Sequence, residues 1–436
     1  VLARGAGTLT GESAGSRHLA LLKQFNALQT RYSSNRELIL GRAILFQQSE
    51  EHETSLNLSN KLLREDRDFV PAIMVKGKAL SQLERNDEAE VLLKSKLETH
   101  SDNGRLRLLY GRILAQQEKL DEARQQFEIL QRQAPNDNDI LLSLALISLG
   151  NDLDDDAEMY FQQLLTLGQR SSTANYYLGR LSEKQKRFQE AQDYYASVDP
   201  GKEFMAAQIA VTQMLVQQGQ FEEALDVIDR ARKRNPARME ALFLLEGDLL
   251  VSDRQLVKAL TLFDRGLKTN PESTNLLYSR AMAFEKLDDL ESLERDLREI
   301  LRIEPDNAAA MNALGYTLAD RTDRLKEAET LIFRAYELNS EDPAILDSMG
   351  WVQFRLGNYK QAEEFLRMAY EHFQDGEVAA HLGEVLWAKG DRNAARQLFA
   401  EALNKAPDSE VLQETVDRLI GESLVEPSET VSTIRK

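Results

Sequence analysis

Short runs of this chain place apolar residues at intervals of three and four. Leu242, Leu245 and Leu249 follow this spacing, and Leu314 and Leu318 repeat it. Such intervals put side chains on one face of an α-helix, whereas a β-strand would alternate apolar and polar residues. The sequence has no alternating run of useful length. The pattern therefore predicts an all-α protein made of amphipathic helices.

A small residue recurs within these runs with a period near 34 residues. Successive copies, which we call anchors, are 33 to 36 residues apart. The anchors are Gly41, Gly77, Gly111, Ala145, Gly179, Thr212, Gly247, Ala281, Gly315, Gly350 and Gly383. Eleven regularly spaced copies indicate a repeat architecture rather than several unrelated domains.

Two further residue types recur at a fixed distance from the anchors. Alanine stands twelve residues after eight of them, at Ala89, Ala123, Ala157, Ala191, Ala224, Ala259, Ala362 and Ala395. Proline stands twenty-four residues after five of them, at Pro135, Pro236, Pro271, Pro305 and Pro407. Small residues let two helices cross closely, and proline cannot continue a helix. Each repeat is therefore predicted to be a pair of antiparallel helices.

Three repeats depart from the alanine register. Glu53 takes this place in the first repeat, Leu293 takes it in a later one, and Ala328 arrives one residue late. We expect the first pair to be degenerate or lengthened. In regular repeats, Gly219 and Gly357 follow the first helix, and glycine with a positive φ commonly ends a helix.

A helix pair cannot bury its apolar face alone, so neighbouring pairs are expected to stack into one solenoid. We predict a flexible leader at residues 1–18, an amino-terminal helix at 19–34, the solenoid at 35–408, a capping helix at 409–420 and a disordered tail at 421–436. Because the chain begins with Val1, we interpret it as a processed or truncated product whose targeting segment lay upstream.

The composition narrows the classes of partner. The 436 residues include 54 Lys and Arg against 72 Asp and Glu, which gives a net charge of −18. Nucleic acid is bound through an excess of basic residues, so it is disfavoured as the main partner. The absence of cysteine excludes disulfides, thiolate metal sites and thiol nucleophiles. No stretch approaches the roughly 20 apolar residues of a transmembrane helix.

Two glycine-containing motifs near the amino end carry little chemistry. Ser13 lies in GESAG, which matches the nucleophile pattern of some hydrolases, but that pattern works only between a buried strand and a helix. Gly5, Gly7 and Gly11 have the wrong last spacing for a dinucleotide-binding loop. We interpret both motifs as parts of a polar leader.

The acidic and histidine residues give no metal pattern either. The run Asp152, Asp154, Asp155 and Asp156 lacks the glycine and distal glutamate of a calcium loop, and acids in a first helical turn explain it more simply. The five histidines are His18, His52, His100, His372 and His381. They lack paired metal spacing, and we expect them in solvent or facing a groove. The sequence predicts no catalytic residue, cofactor or metal.

The repeat resembles a known family. The small anchor, the later alanine and the closing proline, in phrases such as LGNYKQAEEFLRMAYE and QGQFEEALDVIDRARKRNP, are similar to the tetratricopeptide repeat (TPR) over about residues 35–420. The resemblance implies a right-handed superhelical solenoid of about eleven helix pairs with terminal capping helices. It also implies a concave groove lined by the first helices, and a non-enzymatic role as a protein-binding adaptor or scaffold.

A narrower resemblance covers the carboxy-terminal repeats. GYTLADRTDRLKEAETLIFRAYELNSEDPAILDSMGWVQFRLGNYKQAEEFLRMAY and EVAAHLGEVLWAKGD resemble Gram-negative outer-membrane lipoproteins, among them the binding partner of a periplasmic carboxy-terminal processing protease. This implies an adaptor that presents cell-wall hydrolases to the protease, at the periplasmic face of the outer membrane, with a lipid anchor upstream of this chain. A cytoplasmic location, a scaffold for envelope or secretion machinery, and a regulatory module cut from a larger enzyme are the alternatives.

The family geometry points the residue after each anchor towards the groove. Four of the first five such residues are basic, namely Arg42, Lys78, Arg112 and Arg180. Either these form an ordinary solvated helix surface, or they form a basic strip that binds acidic segments of a partner.

Aromatic residues are the second candidate binding set. Tyr176, Tyr316, Trp351, Phe354 and Trp387 lie on helix faces that could also be concave. Most aromatic residues in repeats pack between helices, but exposed Trp and Tyr in a groove would dominate binding energy. We predict Trp351 as an anchor for a partner.

Overall fold

The computed structural model describes Gln24, Phe25, Leu28 and residues 35–421. The predicted leader at 1–18, with Ser13 and the glycine motif, lies outside the described residues, and so does the predicted tail except for Gly421. Of the predicted helix at 19–34, the structure describes only three residues, and each of them is helical.

Residues 35–421 form twenty-three α-helices and no strand. They are α1 Arg36–Gln48, α2 His52–Glu65, α3 Val70–Gln82, α4 Asn86–Thr99, α5 Gly104–Gln116, α6 Leu120–Gln133, α7 Asn138–Gly150, α8 Asp154–Thr166, α9 Ser171–Lys184, α10 Phe188–Ala196, α11 Phe204–Gln217, α12 Phe221–Arg234, α13 Met239–Ser252, α14 Leu256–Thr269, α15 Thr274–Lys286, α16 Leu290–Ile303, α17 Ala308–Arg321, α18 Leu325–Leu338, α19 Pro343–Arg355, α20 Tyr359–His372, α21 Gly376–Lys389, α22 Arg392–Lys405 and α23 Glu410–Ile420. A short 3₁₀-helix, Pro236–Arg238, precedes α13. The prediction of an all-α protein is confirmed.

Contacts among the described residues divide the chain into two compact units, with the boundary between Phe221 and Glu222. Unit 1 contains five helix pairs, α1/α2 to α9/α10, followed by α11. Unit 2 contains α12, five pairs from α13/α14 to α21/α22, and then α23, which packs on α21 and α22. Within each unit, helices pack on their partner in the pair and on the next pair, as expected for stacked repeats.

Most glycine anchors lie where the two helices of a pair cross, as predicted, whereas Gly41 faces the ring of Phe25. A Cβ atom built on Gly247 would come within 2.2 Å of the Phe263 ring, and one on Gly383 within 2.1 Å of the Phe399 ring. In both pairs the aromatic residue follows its anchor by sixteen positions and is fully buried. Glycine is therefore required by close approach of a large side chain from the second helix.

The alanine register belongs to the same crossings. All eight regular alanines and the late Ala328 are fully buried, and so is Leu293. In the first pair, Ser55 rather than Glu53 takes the buried place, two residues later, and its hydroxyl donates to the Ala43 carbonyl at 2.8 Å. The first pair is thus a lengthened repeat whose second helix still buries a small residue against the first helix.

The turn within each pair uses one residue with a positive φ. Gly219 and Gly357 have φ values of 74° and 83°, as predicted. The pair α17/α18 lacks this residue, and the end of α17 is stabilised differently. The guanidinium of Arg355 on α19 donates to the carbonyls of Ala319 and Asp320, two acceptors that the helix leaves free.

Among the helices of residues 35–421, none has both the length and the apolar character to cross a bilayer.

Candidate functional site

The first helices of unit 1 line a large groove. It has a volume of about 1140 Å³ and is bordered by α1, α3, α5 and α7, with Phe127 of α6 at its base. Side chains cap the amino-terminal ends of these helices. Asn103 and Asp137, for example, accept hydrogen bonds from backbone N–H groups in the first turns of α5 and α7. We call this cavity the unit 1 groove.

Apolar side chains form much of the surface of the unit 1 groove. They include Leu40, Ile44, Met74, Leu108 and Leu146, which come from four successive first helices. Leu146 is 39% exposed, so a large apolar side chain faces solvent there. An exposed, concave apolar surface is the kind of feature that marks a binding site.

Three cations stand beside this apolar surface, Lys78, Arg105 and Arg112. All three are exposed. Within residues 35–421, none of the three side chains has an ion pair or a hydrogen bond. By contrast, Arg124 on α6, outside the groove, is held by Glu128 and Asp156. The groove thus combines apolar area with positive charge that no carboxylate of the described chain neutralises.

Two of the four predicted basic residues line this groove, and two do not. Lys78 and Arg112 are on its wall, whereas Arg42 lies 5.7 Å from the Phe46 ring and Arg180 is exposed on α9. Arg42 misses the groove because the groove-facing residues of α1 are Leu40 and Ile44 rather than the residue after the anchor. A role of these residues in binding a partner remains a prediction.

The prediction of Trp351 as an exposed anchor needs correction. Its side chain is only 8% exposed. The indole ring stacks on the His381 imidazole with ring centres 4.2 Å apart, and its Nε1 donates to Asp320 at 3.2 Å. Trp351 is therefore a packing residue between helices, which is the alternative that the sequence left open.

The other predicted aromatic residues are half-buried. Phe354 lies 5.2 Å from Trp351, and Trp387 lies beneath the guanidinium of Arg392 at 5.0 Å. In unit 1, Tyr176 contacts Tyr177 edge-on at 5.2 Å. None of the three lines the unit 1 groove, and a role of these residues in binding a partner remains a prediction.

Tyr316 belongs to a buried polar network in unit 2. Its hydroxyl donates to Glu377 at 2.9 Å and lies 3.4 Å from Nε2 of His381. The Nδ1 atom of His381 lies 3.0 Å from both carboxylate oxygens of Asp347. His381 is only 6% exposed, which corrects the expectation that the histidines face solvent or a groove.

The charges of this network set the protonation of its members. Burial opposes a charged His381, but the charge and hydrogen bond of Asp347, with Glu377 and Asp320 nearby, raise the pKa of His381 above its usual value. Burial and the neighbouring carboxylates raise the pKa of Tyr316, which therefore stays protonated and keeps its donor.

No group of three or more histidine, aspartate or glutamate side chains within residues 35–421 is arranged to hold a metal ion. Asp154, Asp155 and Asp156 occupy the first turn of α8, as predicted from the sequence. Asp154 pairs with Lys184 and Asp156 with Arg124. These acids therefore stabilise a helix end and join neighbouring helices.

Sequence reasoning missed the apolar part of the groove. Met74 and Leu108 each precede their anchors by three residues, and Arg105 precedes its anchor by six. The available signal was an apolar residue on the helix face that points to solvent. Sequence alone cannot distinguish such a residue from a core residue, because the packing of the helices decides which face is exposed.

Stacked helix pairs with a groove along their first helices define a helical-repeat protein, a scaffold for protein–protein interaction. The chain belongs to the tetratricopeptide repeat family. Two family models described as tetratricopeptide repeat match it, one at residues 80–147 and the other at 143–203, 214–245 and 348–410.

Two named relatives match the chain in sequence, and the name of the first contains the repeat. The chain is 43% identical over 401 residues to the TPR repeat-containing protein PA4667 of Pseudomonas aeruginosa, covering 92% of this chain and 68% of that protein. It is 26% identical over 99 residues to bacteriophage adsorption protein A of Escherichia coli, covering 23% of this chain and 10% of that protein.

Matches among solved structures include yeast Tom70 and the TPR protein TTC0263 of Thermus thermophilus. Tom70 is 14% identical, with a TM-score of 0.43 and coverage of 90% of this chain and 95% of Tom70. TTC0263 is 24% identical, with a TM-score of 0.38 and coverage of 41% of this chain and 98% of TTC0263.

Proposed function

We propose that this chain is a non-catalytic adaptor whose unit 1 groove holds a segment of a protein partner rich in acidic and apolar side chains. The observation that supports this most directly is the set of three cations, Lys78, Arg105 and Arg112, beside an apolar surface. None of the three forms an ion pair within residues 35–421, although the chain as a whole has a net charge of −18.

The two features of the groove have different roles in binding. Burial of Met74, Leu108 and Leu146 against apolar side chains of the partner would supply most of the affinity. The cations would select carboxylates and raise the rate of association, since they carry no internal partner that must first be displaced. Acidic residues alternating with apolar ones along an extended or helical segment fit both requirements.

The resemblance to outer-membrane lipoproteins supports a narrower proposal. The partner is a periplasmic carboxy-terminal processing protease, and the cargo consists of cell-wall hydrolases. An adaptor that binds both proteins raises the concentration of cargo near the protease without taking part in the chemistry. The proposal places the protein at the periplasmic face of the outer membrane, held by a lipid anchor upstream of Val1.

The test is binding of the purified protease and of a hydrolase to the full chain and to a charge-reversed groove variant, Lys78→Glu with Arg112→Glu. The control variant, Lys61→Glu with Lys94→Glu, makes the same change of charge on exposed second-helix residues outside the groove. We expect the groove variant to lose about tenfold or more in affinity for one of the two proteins.

The outcomes separate the groove from the identity of the partner. Unchanged binding by the groove variant, with the control also unchanged, would remove the unit 1 groove as the site. Failure of the unmodified chain to bind both proteins would instead remove the narrower proposal and leave the groove without a named partner. Fractionation of cells that express the complete gene tests the location.

A further inference from the structure

The apolar surface of the unit 1 groove lies between cations on two sides. On α5, Arg105, Leu108 and Arg112 follow one another at intervals of three and four residues, so they share one face of the helix. Leu108 lies in the middle of this face, with one cation on each side of it. Seven residues of helix separate the Cα atoms of Arg105 and Arg112 by about 10.5 Å along the helix axis.

Helices α3 and α5 run in the same direction along the groove wall. A Cβ atom built on Gly77 would lie 3.3 Å from Leu109, and the Ser81 hydroxyl donates a hydrogen bond to Gln116 at 2.7 Å. The first contact is near the middle of both helices, and the second is near the carboxy-terminal end of both. The residues that follow the two anchors, Gly77 and Gly111, are therefore at the same level.

This register gives the groove two charged edges. Lys78 and Arg112 form the first edge, and Arg105 forms the second edge. Met74 and Leu108 lie between the edges, each three residues before its anchor. The apolar surface of the groove therefore has positive charge at both of its borders.

Arg105 occupies a position where a cation does not stabilise its own helix. It lies in the first turn of α5, which begins at Gly104 and has no acidic residue. The positive end of a helix dipole favours acidic residues, and a cation there is unfavourable. Arg105 also has no ion pair within residues 35–421. A side chain that costs its own helix stability and has no partner is typical of a binding site, where function and stability are often opposed.

Carboxylates near Arg105 restrict where a partner can carry negative charge. Asp102, Asp137 and Asp139 line a second opening to which Arg105 also belongs. Asp137 accepts hydrogen bonds from N–H groups in the first turn of α7, and Asp139 pairs with Arg170. These acids would repel a partner that is acidic on all sides. A partner whose acids only border an apolar stripe would instead place them against the cations of the groove.

The distance between the two edges matches the width of an α-helix. A helix with its side chains is about 10–12 Å across, and acidic residues can border an apolar stripe on both sides of it. In an extended strand, side chains point alternately to two opposite faces, and the borders consist of backbone groups. A strand whose apolar side chains face the groove would therefore present no carboxylate at either edge.

The groove also sets the length of its ligand. First helices α1, α3, α5 and α7 border it, and packed helices lie about 10 Å apart, so the groove is about 30 Å long. At a rise of about 1.5 Å per residue, a helix of about 20 residues fills this length. Carboxylates about seven residues apart on that helix reach Lys78 and Arg112, which are on neighbouring first helices.

We propose that the unit 1 groove binds an amphipathic α-helix of a partner protein, with an apolar stripe bordered by acidic residues on both sides. This inference rests on the proposed function, from which it takes the acidic and apolar segment, and it adds the helical form and the position of the charges. The apolar stripe packs on Met74 and Leu108. Its carboxylates pair with Lys78 and Arg112 at the first edge and with Arg105 at the second edge.

The probe is a synthetic peptide of three copies of Glu-Leu-Ala-Gln-Leu-Glu-Ala with blocked ends, titrated into the full chain by calorimetry. On a helix, its leucines form one stripe with glutamates on both borders, so we call it the two-border peptide. The one-border peptide has glutamine in place of the first glutamate of each copy. A third peptide, with copies of Ala-Leu-Glu-Gln-Leu-Ala-Glu, keeps the charge and the stripe but moves the acids to the opposite face. A fourth has proline in place of the last alanine of two copies of the two-border sequence, which prevents a continuous helix.

We expect the two-border peptide to bind most tightly of the four. Its affinity should exceed that of the one-border peptide about fivefold or more, because only the two-border peptide pairs with both edges. The peptide with acids on the opposite face and the proline peptide should each lose about tenfold or more, since the first keeps the helix without the pairing and the second loses the helix.

The variant Arg105→Gln tests the second edge by itself. It should remove the advantage of the two-border peptide over the one-border peptide, because the latter can use the first edge alone. The control, Arg132→Gln, removes an exposed cation from α6 outside the groove and should leave both affinities unchanged. Because Arg105 does not stabilise its own helix, the midpoint of urea unfolding should not fall in Arg105→Gln.

The outcomes separate this inference from the proposed function. If the one-border or the proline peptide binds as tightly as the two-border peptide, the two-sided helix is wrong, while an acidic and apolar segment still fits the groove. If none of the peptides binds, the acidic and apolar segment is removed together with its helical form. A peptide of residues 422–436 of this chain is the last comparison, because it too contains acidic and apolar residues. Equally tight binding of that peptide, lost in Lys78→Glu with Arg112→Glu, would make the chain's own segment the occupant and overturn the proposal.

Discussion

At the scale of single residues, the turn within each pair carries backbone strain that sequence does not reveal. The residue seven positions after most anchors has a positive φ, and several of these residues are not glycine. Glu84, Glu118, Lys186 and Asp288 have φ values of 58° to 60°. The left-handed region costs a residue with a Cβ roughly 1–2 kcal/mol, so these turns are held by the packing of the helices around them.

We therefore expect Lys186→Gly to stabilise the protein. Lys186 is exposed, and relief of strain should outweigh the greater freedom of glycine in the unfolded chain by up to about 1 kcal/mol. Gly357→Ala should destabilise by about 1 kcal/mol, because alanine is strained at the φ of 83°. Urea unfolding with an unchanged slope measures both, and a shift in the same direction for the two variants would contradict the argument.

The His381–Asp347 pair predicts a dependence of stability on pH. The pKa of His381 is raised in the folded protein, so folding favours the protonated imidazole. This contribution is fully present below the unfolded pKa of about 6.5 and is lost as pH rises through the higher folded pKa. The difference in unfolding free energy between the unmodified chain and His381→Gln should therefore shrink as pH rises from 6 to 9.

Denaturant titrations at several pH values measure this difference. The second variant, His372→Gln, is the control, because His372 is exposed at the end of α20. A difference for His381→Gln that stays constant or grows with pH would show that the charged imidazole does not stabilise the fold.

At the scale of helices, one ion pair is an unusual part of the packing in unit 2. Arg280 on α15 donates two hydrogen bonds of 2.7 Å to the carboxylate of Asp296 on α16, and Asp296 is only 2% exposed. Arg280 also contacts Asp264 on α14. This guanidinium therefore joins three successive helices across two pairs.

Removal of only one partner should be costly. Arg280→Met leaves Asp296 buried without a cation, and we expect a loss of about 3 kcal/mol of unfolding free energy. The double variant Arg280→Met with Asp296→Leu should recover much of this loss, because apolar side chains pack in place of the pair. A double-mutant cycle by chemical unfolding gives the coupling between the two residues.

An exposed pair on the same helix provides the control. Arg302 and Glu299 form a bidentate pair on α16, with side chains 61% and 41% exposed, and Arg302→Met should change stability by less than about 1 kcal/mol. If Arg280→Met and Arg302→Met lowered the unfolding free energy equally, burial of Asp296 would not explain the loss of stability in Arg280→Met.

The helix pairs could be predicted from sequence because their crossings demand small residues at fixed intervals. For example, the spacing between Gly247 and Ala259 predicts where both helices of their pair lie and where the two helices touch. The partners across each crossing, such as Phe263, were missed, since large apolar residues occur at many helix positions. Contacts such as Arg280 with Asp296 were missed because nothing in the period of about 34 residues marks them.

At the scale of the whole molecule, composition conceals the local charge. The net charge of −18 suggests a uniformly acidic surface, yet the unit 1 groove carries three cations beside one carboxylate, Glu37. In unit 2, a cavity lined by α15, α17, α19 and α21 carries carboxylates and no lysine or arginine. The rule that the residue after each anchor faces the groove identified Lys78 and Arg112 correctly. It failed for Arg42, because α1 turns a different face towards the groove. Whether a side chain faces the groove depends on the rotation of its helix about the helix axis. The periodicity of the sequence does not fix this rotation closely enough to choose between neighbouring residues.

The unit 1 groove lies within one of the two compact units, so a substitution in the other unit should leave its binding free energy within about 0.5 kcal/mol. We expect Glu377→Gln in unit 2 to leave binding of an acidic partner segment to the unit 1 groove unchanged. Calorimetric titration of the variant and of the unmodified chain with this segment measures the difference. A tenfold change in affinity would mean that the two units are energetically coupled.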